Sequence, residues 1–89
     1  MYRVELASRA RRELKRLPES DNSRLTAALS RLAAEPRPAG AVKLKGPIHR
    51  LRVGPYRIIY AVSDREEKVV ALKIVRREKD TYDQLEELF

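Results

Sequence analysis

Three runs of strand-forming residues stand between His49 and Val75, with only two short turns to separate them. His49-Arg50-Leu51-Arg52-Val53 alternates basic with apolar, so Arg50 and Arg52 share one face of a strand while Leu51 and Val53 share the other. Gly54-Pro55 is a tight turn that folds this run onto the next as an antiparallel hairpin. Tyr56-Arg57-Ile58-Ile59-Tyr60-Ala61-Val62 is β-branched and aromatic, the composition of a central strand, with Tyr56 and Tyr60 expected in the core or at its rim. After the polar turn Ser63 to Lys68, Val69-Val70-Ala71-Leu72-Lys73-Ile74-Val75 is almost wholly apolar, as a strand covered on both faces should be.

The first half of the chain supplies the cover. Tyr2-Arg3-Val4-Glu5-Leu6 alternates and reads as an opening strand. Ser8 is placed to cap a helix whose apolar positions are Ala10, Leu14 and Leu17. Pro18 ends that helix or starts the next, which carries Leu25, Ala28, Leu29 and Leu32 on one stripe. The second helix must stop near Glu35, because Pro36 disfavours helical geometry in the residue before it. Two helices with single apolar stripes need a common surface, which the sheet must provide. Leu85, Leu88 and Phe89, among acids, read as a short terminal helix within residues 80–89. The expected order is strand, helix, helix, three strands, helix, in one domain spanning residues 1–89.

Charge narrows the function. The net charge is +7, and no carboxylate occurs between Glu35 and Asp64, a stretch that holds Arg37, Lys43, Lys45, His49, Arg50, Arg52 and Arg57. Such a surface attracts phosphate backbones or acidic proteins. One His and no Cys give no metal cluster, so no metal or other cofactor is expected. There is no glycine-rich phosphate loop, and Ser20 and Ser23 lack a partner base. The N-terminus shows no signal peptide and no apolar run approaches membrane-spanning length, so a cytoplasmic address without membrane contact is expected.

A cluster of cations with tyrosines suits metal-free cleavage of RNA. The neighbouring 2′-hydroxyl attacks phosphorus, and negative charge builds on the phosphate oxygens and then on the departing 5′-oxygen. Preorganised guanidinium groups stabilise that charge and bind two phosphate oxygens at once. A tyrosine phenol can stack on a base or move a proton. Tyr and Arg are poor bases at neutral pH, so the general base is not evident from the residue types.

Lys43-Leu44-Lys45-Gly46, followed by His49-Arg50-Leu51-Arg52-Val53-Gly54-Pro55-Tyr56-Arg57-Ile58-Ile59-Tyr60, resembles the RelE/ParE toxin superfamily. Val75-Arg76-Arg77-Glu78-Lys79-Asp80-Thr81-Tyr82 is similar to its closing run. The resemblance covers essentially the whole chain. It implies an α+β fold, a twisted antiparallel sheet of about four strands with two N-terminal helices packed on one face and a short C-terminal helix, in the order βααβββα. It implies a RelE-like toxin of a type II toxin–antitoxin system that enters the ribosome and cuts mRNA in the A site by the 2′-hydroxyl route, with ribosome, mRNA and a cognate antitoxin as partners.

By the same resemblance Arg50 contacts the reacting phosphate and Arg57 stabilises its charge. Arg77, or Arg76, matches the strand-end arginine, and Tyr82 the tyrosine that stacks on the mRNA base. Lys43, Lys45, His49, Arg52 and Arg76 are the expected RNA-binding residues. The best-studied members of the family carry a lysine two residues before the position matched by Arg50; here that residue is Ile48, and Lys43 or Lys45 would have to compensate. Two other functions stay open: a ParE-like gyrase inhibitor, and a non-catalytic module whose basic groove binds nucleic acid or an acidic protein.

Overall fold

The computed structural model describes residues 1–76. Strand β1 (Arg3–Leu6) leads into helices α1 (Ser8–Lys15) and α2 (Glu19–Ala34), and four strands follow: β2 (Val42–Lys45), β3 (Ile48–Val53), β4 (Tyr56–Ser63) and β5 (Lys68–Arg76). They form a single sheet in the order β1-β5-β4-β3-β2. The terminal helix expected within residues 80–89 lies outside the described residues.

The helices begin and end for local reasons. Pro18 is the N-cap of α2, and Glu19 and Asp21 place negative charge in its first turn, where the helix dipole favours it. The helix stops at Ala34, one residue before the Glu35-Pro36 pair that cannot continue it. Ser8 does not act as a cap. It is the first helical residue of α1, and the capping position falls on Ala7, whose N–H is taken up by the Ala71 carbonyl at 2.9 Å. A side-chain cap is redundant where the sheet already holds the entering chain.

Two expectations about the sheet are corrected. It has five strands rather than about four, and it is mixed rather than wholly antiparallel. The additional strand is β2, whose VKLK sequence reads as a solvated basic run; lysines on a short outer strand are a common protection of a sheet edge. Strand β1 pairs with β5 in parallel, Val4 beside Val69 and Leu6 beside Ala71. The two helices carry the chain from one edge of the sheet to the other, and the β2–β5 meander then returns it to the side of β1.

One face of the sheet holds the core. Ala10 of α1 and Leu25, Ala28, Leu29 and Leu32 of α2 pack with Tyr56, Ile58, Tyr60 and Val62 of β4 and with Val69, Ala71 and Ile74 of β5. Leu51 and Val53 of β3 join at the margin. Tyr60 is fully buried, and its hydroxyl donates to the Pro36 carbonyl at 2.8 Å, so the phenol's polar end is satisfied as it fixes the start of the α2–β2 loop. Burial raises its pKa.

Candidate nucleic-acid interface

Strand pairing decides which side chains meet. In β3 and β4 the register sets His49 opposite Tyr60, Leu51 opposite Ile58 and Val53 opposite Tyr56, all on the helix-covered face. Between them alternate Arg50 opposite Ile59 and Arg52 opposite Arg57, so these three arginines share the other face. Lys45 joins them from β2, where it pairs with Ile48, the neighbour of Ala61. Arg52 is exposed, Arg50 half-buried and Arg57 only 2% exposed. Arginines directly opposed across a strand pair cost stability by themselves, so a fold that sets Arg52 against Arg57 concentrates charge there at some expense. Strands β2 to β5 contain no carboxylate.

The remaining expected RNA-binding residues do not join this set. Lys43 pairs with His49 and is an exposed side chain of the edge strand. His49 itself is buried at 5% exposure, its ring stacked on that of Tyr60 with centroids 5.5 Å apart and its Nδ1 2.9 Å from the Pro47 carbonyl. These are the contacts of a packing residue, and the structure sets His49 apart from the arginine face. Arg76 pairs with Tyr56 and places its guanidinium 5.9 Å from that ring's centroid, again on the helix side. The Tyr56 hydroxyl donates to Asp21 of α2 at 3.0 Å; burial and then that hydrogen bond raise the phenol's pKa. Arg76 thus closes a small structural cluster with Tyr56 and Asp21. Arg77 and Tyr82 lie outside the described residues.

Lys73 interrupts the apolar run of β5. Regular alternation from Val69 and Ala71 would send it into the core. The register of β4 with β5 instead shifts between Ile59 and Tyr60: Tyr60 pairs with Ala71, but Ile59 pairs with Lys73, so Leu72 is an extra residue. The bulge turns Lys73 onto the arginine face and returns Ile74 to the core opposite Ile58. Glu13 of α1 secures it: Oε1 accepts the Ile74 N–H at 2.8 Å while Oε2 receives Arg9 Nε at 3.0 Å. Single-sequence patterning carries no signal for this, because a bulge shows only in the partner strand's register.

A second polar cluster braces the loops at one end of the sheet. Arg37 grips Asp64 with two hydrogen bonds of 3.1 and 3.0 Å, and the Tyr2 hydroxyl donates to the same carboxylate. Arg37 first, then Tyr2, hold the Asp64 pKa below its ordinary value. Among the described residues no group of His, Cys, Asp and Glu could hold a metal ion, and no helix is long and apolar enough to cross a membrane.

Residues 4–81 match the family model described as ParE toxin of type II toxin–antitoxin system, parDE. No curated protein matches the chain by sequence. Among solved structures, the chain is similar to one chain of the archaeal RelE–RelB complex from Pyrococcus horikoshii OT3, with 29% identity, a TM-score of 0.81, and coverage of 88% of this chain and 97% of that one. It is similar to a chain of the RelBE2 toxin–antitoxin complex from Mycobacterium tuberculosis at 28% identity and a TM-score of 0.76, covering 85% and 98%. The isolated RelE toxin of E. coli shares the fold at 18% identity and a TM-score of 0.78, over 100% of both chains.

Proposed function

Since the chain belongs to the ParE toxin family of type II toxin–antitoxin systems, within the RelE/ParE superfamily, and its structural likeness is to the RelE branch, we propose that it is a ribosome-dependent endoribonuclease that cuts mRNA in the A site. The observation that carries this reading is the convergence of Arg50, Arg52 and Arg57 on one sheet face.

In this reading Arg50 and Arg57 hold the non-bridging oxygens of the scissile phosphate as the 2′-oxygen attacks. The P–O5′ bond breaks, leaving a 2′,3′-cyclic phosphate and a 5′-hydroxyl end. The charge is fixed in place before reaction, which is where electrostatic stabilisation is most effective. Arg52 and Lys45, further out on the same face, position the backbone. Arg77 and Tyr82 are assigned the strand-end contact and the base stack. A cognate antitoxin, which complexes such as the archaeal RelE–RelB pair exemplify, would hold the toxin in check, and its docking surface on so basic a chain is expected to be acidic.

The family model's ParE description favours a second reading, inhibition of gyrase by binding. The two separate in one experiment. In a purified translation system, mapping of mRNA 5′ ends should reveal cuts within A-site codons that disappear with Arg50→Ala and Arg57→Ala. Intact mRNA together with trapped gyrase–DNA complexes would establish the second reading instead.

A further inference from the structure

Helix α1 and its C-cap hold five of the chain's 20 Lys and Arg within residues 8–16: Arg9, Arg11, Arg12, Lys15 and Arg16, all of them exposed. We propose that this outer face of α1 is a second RNA surface, which grips the phosphate backbone of folded ribosomal RNA. The inference rests on the RNA-cleaving reading above and names the element that docks the protein for it.

Helix geometry gathers the five cations. Ala10, Leu14 and Leu17 turn inward and pack with the core. With about 3.6 residues per turn, the opposite side of the helix is left to Arg12, with Arg9 and Arg16 on one flank and Arg11 and Lys15 on the other. Helix α1 lies on the covered face of the sheet, so its cations point away from Arg50, Arg52 and Arg57 on the other face. The molecule thus presents two basic surfaces on opposite sides.

Helix stability does not account for this charge. Lys15 and Arg16 suit the C-terminal end of the dipole, but Arg9 and Arg11 stand in a first turn that has no acid, where the dipole opposes them. A solvated helix face ordinarily mixes signs at neighbouring positions. Here the only acid is Glu13, and its oxygens are taken by the Ile74 N–H and Arg9 Nε. Among the described residues no carboxylate pairs with Arg11, Arg12, Lys15 or Arg16.

The composition of the face selects the partner. Within residues 8–16 the exposed side chains are Ser8 and the five cations, with no apolar group among them. Protein interfaces are built around aromatic or aliphatic anchors and are depleted in Lys, so a protein would find nothing here to seat. A phosphate backbone asks only for positive charge and N–H donors, and each guanidinium can clasp two of its oxygens. Such contacts position without reading sequence, which is what docking on a ribosome requires.

The test uses the full chain and a variant combining Arg11→Gln, Arg12→Gln, Lys15→Gln and Arg16→Gln. Gln is a good helix former, so thermal unfolding should be nearly unchanged. Affinity for programmed ribosomes is measured between about 50 and 200 mM salt. The variant should bind about 10–100-fold more weakly, with a slope of log affinity against log salt shallower by about 3. The loss should appear in the ribosome concentration needed for half-maximal cleavage and not in the single-turnover rate at saturation. A photo-cross-linking side chain at Ser8, which leaves all five cations in place, decides the matter if the variant does not fold: it should join ribosomal RNA. Unchanged affinity and slope would overturn the inference, as would a fall in the saturated rate, or cross-links to ribosomal protein alone, which would assign the face to an acidic protein. Each of these leaves the cleavage reading intact, whereas ribosome binding that depends on α1 without any cleavage by the unaltered chain overturns that reading and not the surface.

Discussion

Arg52 and Arg57 sit directly opposite one another, while His49, one β3 position before Arg50, is turned to the other side. Neighbouring residues of the same strand therefore have different jobs, and substitution should separate them. His49→Ala removes the stack on Tyr60 from a buried position and should cost stability of about 1–3 kcal/mol, read by urea unfolding, while the cleavage rate of the folded fraction stays near normal. Gly54 holds φ +58°, and a Cβ there would lie 2.4 Å from Arg24 Nη1. Gly54→Ala should lose about 1–2 kcal/mol from the backbone alone. Adding Arg24→Ala should recover only the steric part, a difference measurable in the same unfolding series. Asp64 supplies a pH dependence. Its folded pKa is depressed by Arg37 and then Tyr2, so its contribution is present above the unfolded carboxylate value of about 4 and is lost as pH falls through the folded value. Thermal midpoints measured from pH 5 down to 2 should fall less steeply in Asp64→Asn than in the unaltered chain.

At the scale of elements, alternation reported faces well wherever pairing was regular. The faces of Arg50, Arg52, Leu51 and Val53 are readable from five consecutive residues, and the Gly54-Pro55 hairpin fixed their register against β4. Both helices were legible from their apolar stripes and from Pro18 and Pro36. Strand β2 was not, because four residues with two lysines carry too little apolar pattern to separate an edge strand from a loop. Parallel pairing of β1 with β5 was likewise hidden: it joins segments more than sixty residues apart, and local pattern says nothing about such partners. The orientation of Lys73 depends on the bulge and hence on Glu13. Glu13→Ala leaves the Ile74 N–H without this acceptor and should destabilise by about 1–3 kcal/mol. Glu13→Gln keeps an acceptor oxygen and should restore most of the loss, with the Ile74 amide resonance returning towards its original position in NMR spectra.

For the whole molecule, two helices close one face of the sheet with an apolar core and so set the arginines on the other. Leu25 and Ile58, both fully buried at that core, are the residues whose truncation to Ala should cost most, about 2–5 kcal/mol each. With a net charge of +7, association with the ribosome should weaken steeply as salt rises, since neutralised phosphates release counterions. That dependence would accompany any basic protein on RNA and does not by itself establish chemistry. The direct measurement is the rate at which a programmed ribosomal complex loses its A-site codon. Arg50→Ala and Arg57→Ala should each lower that rate about 10²–10³-fold in chains that still unfold cooperatively. Undiminished cutting by these two folded variants would contradict the claim that this sheet face breaks the mRNA.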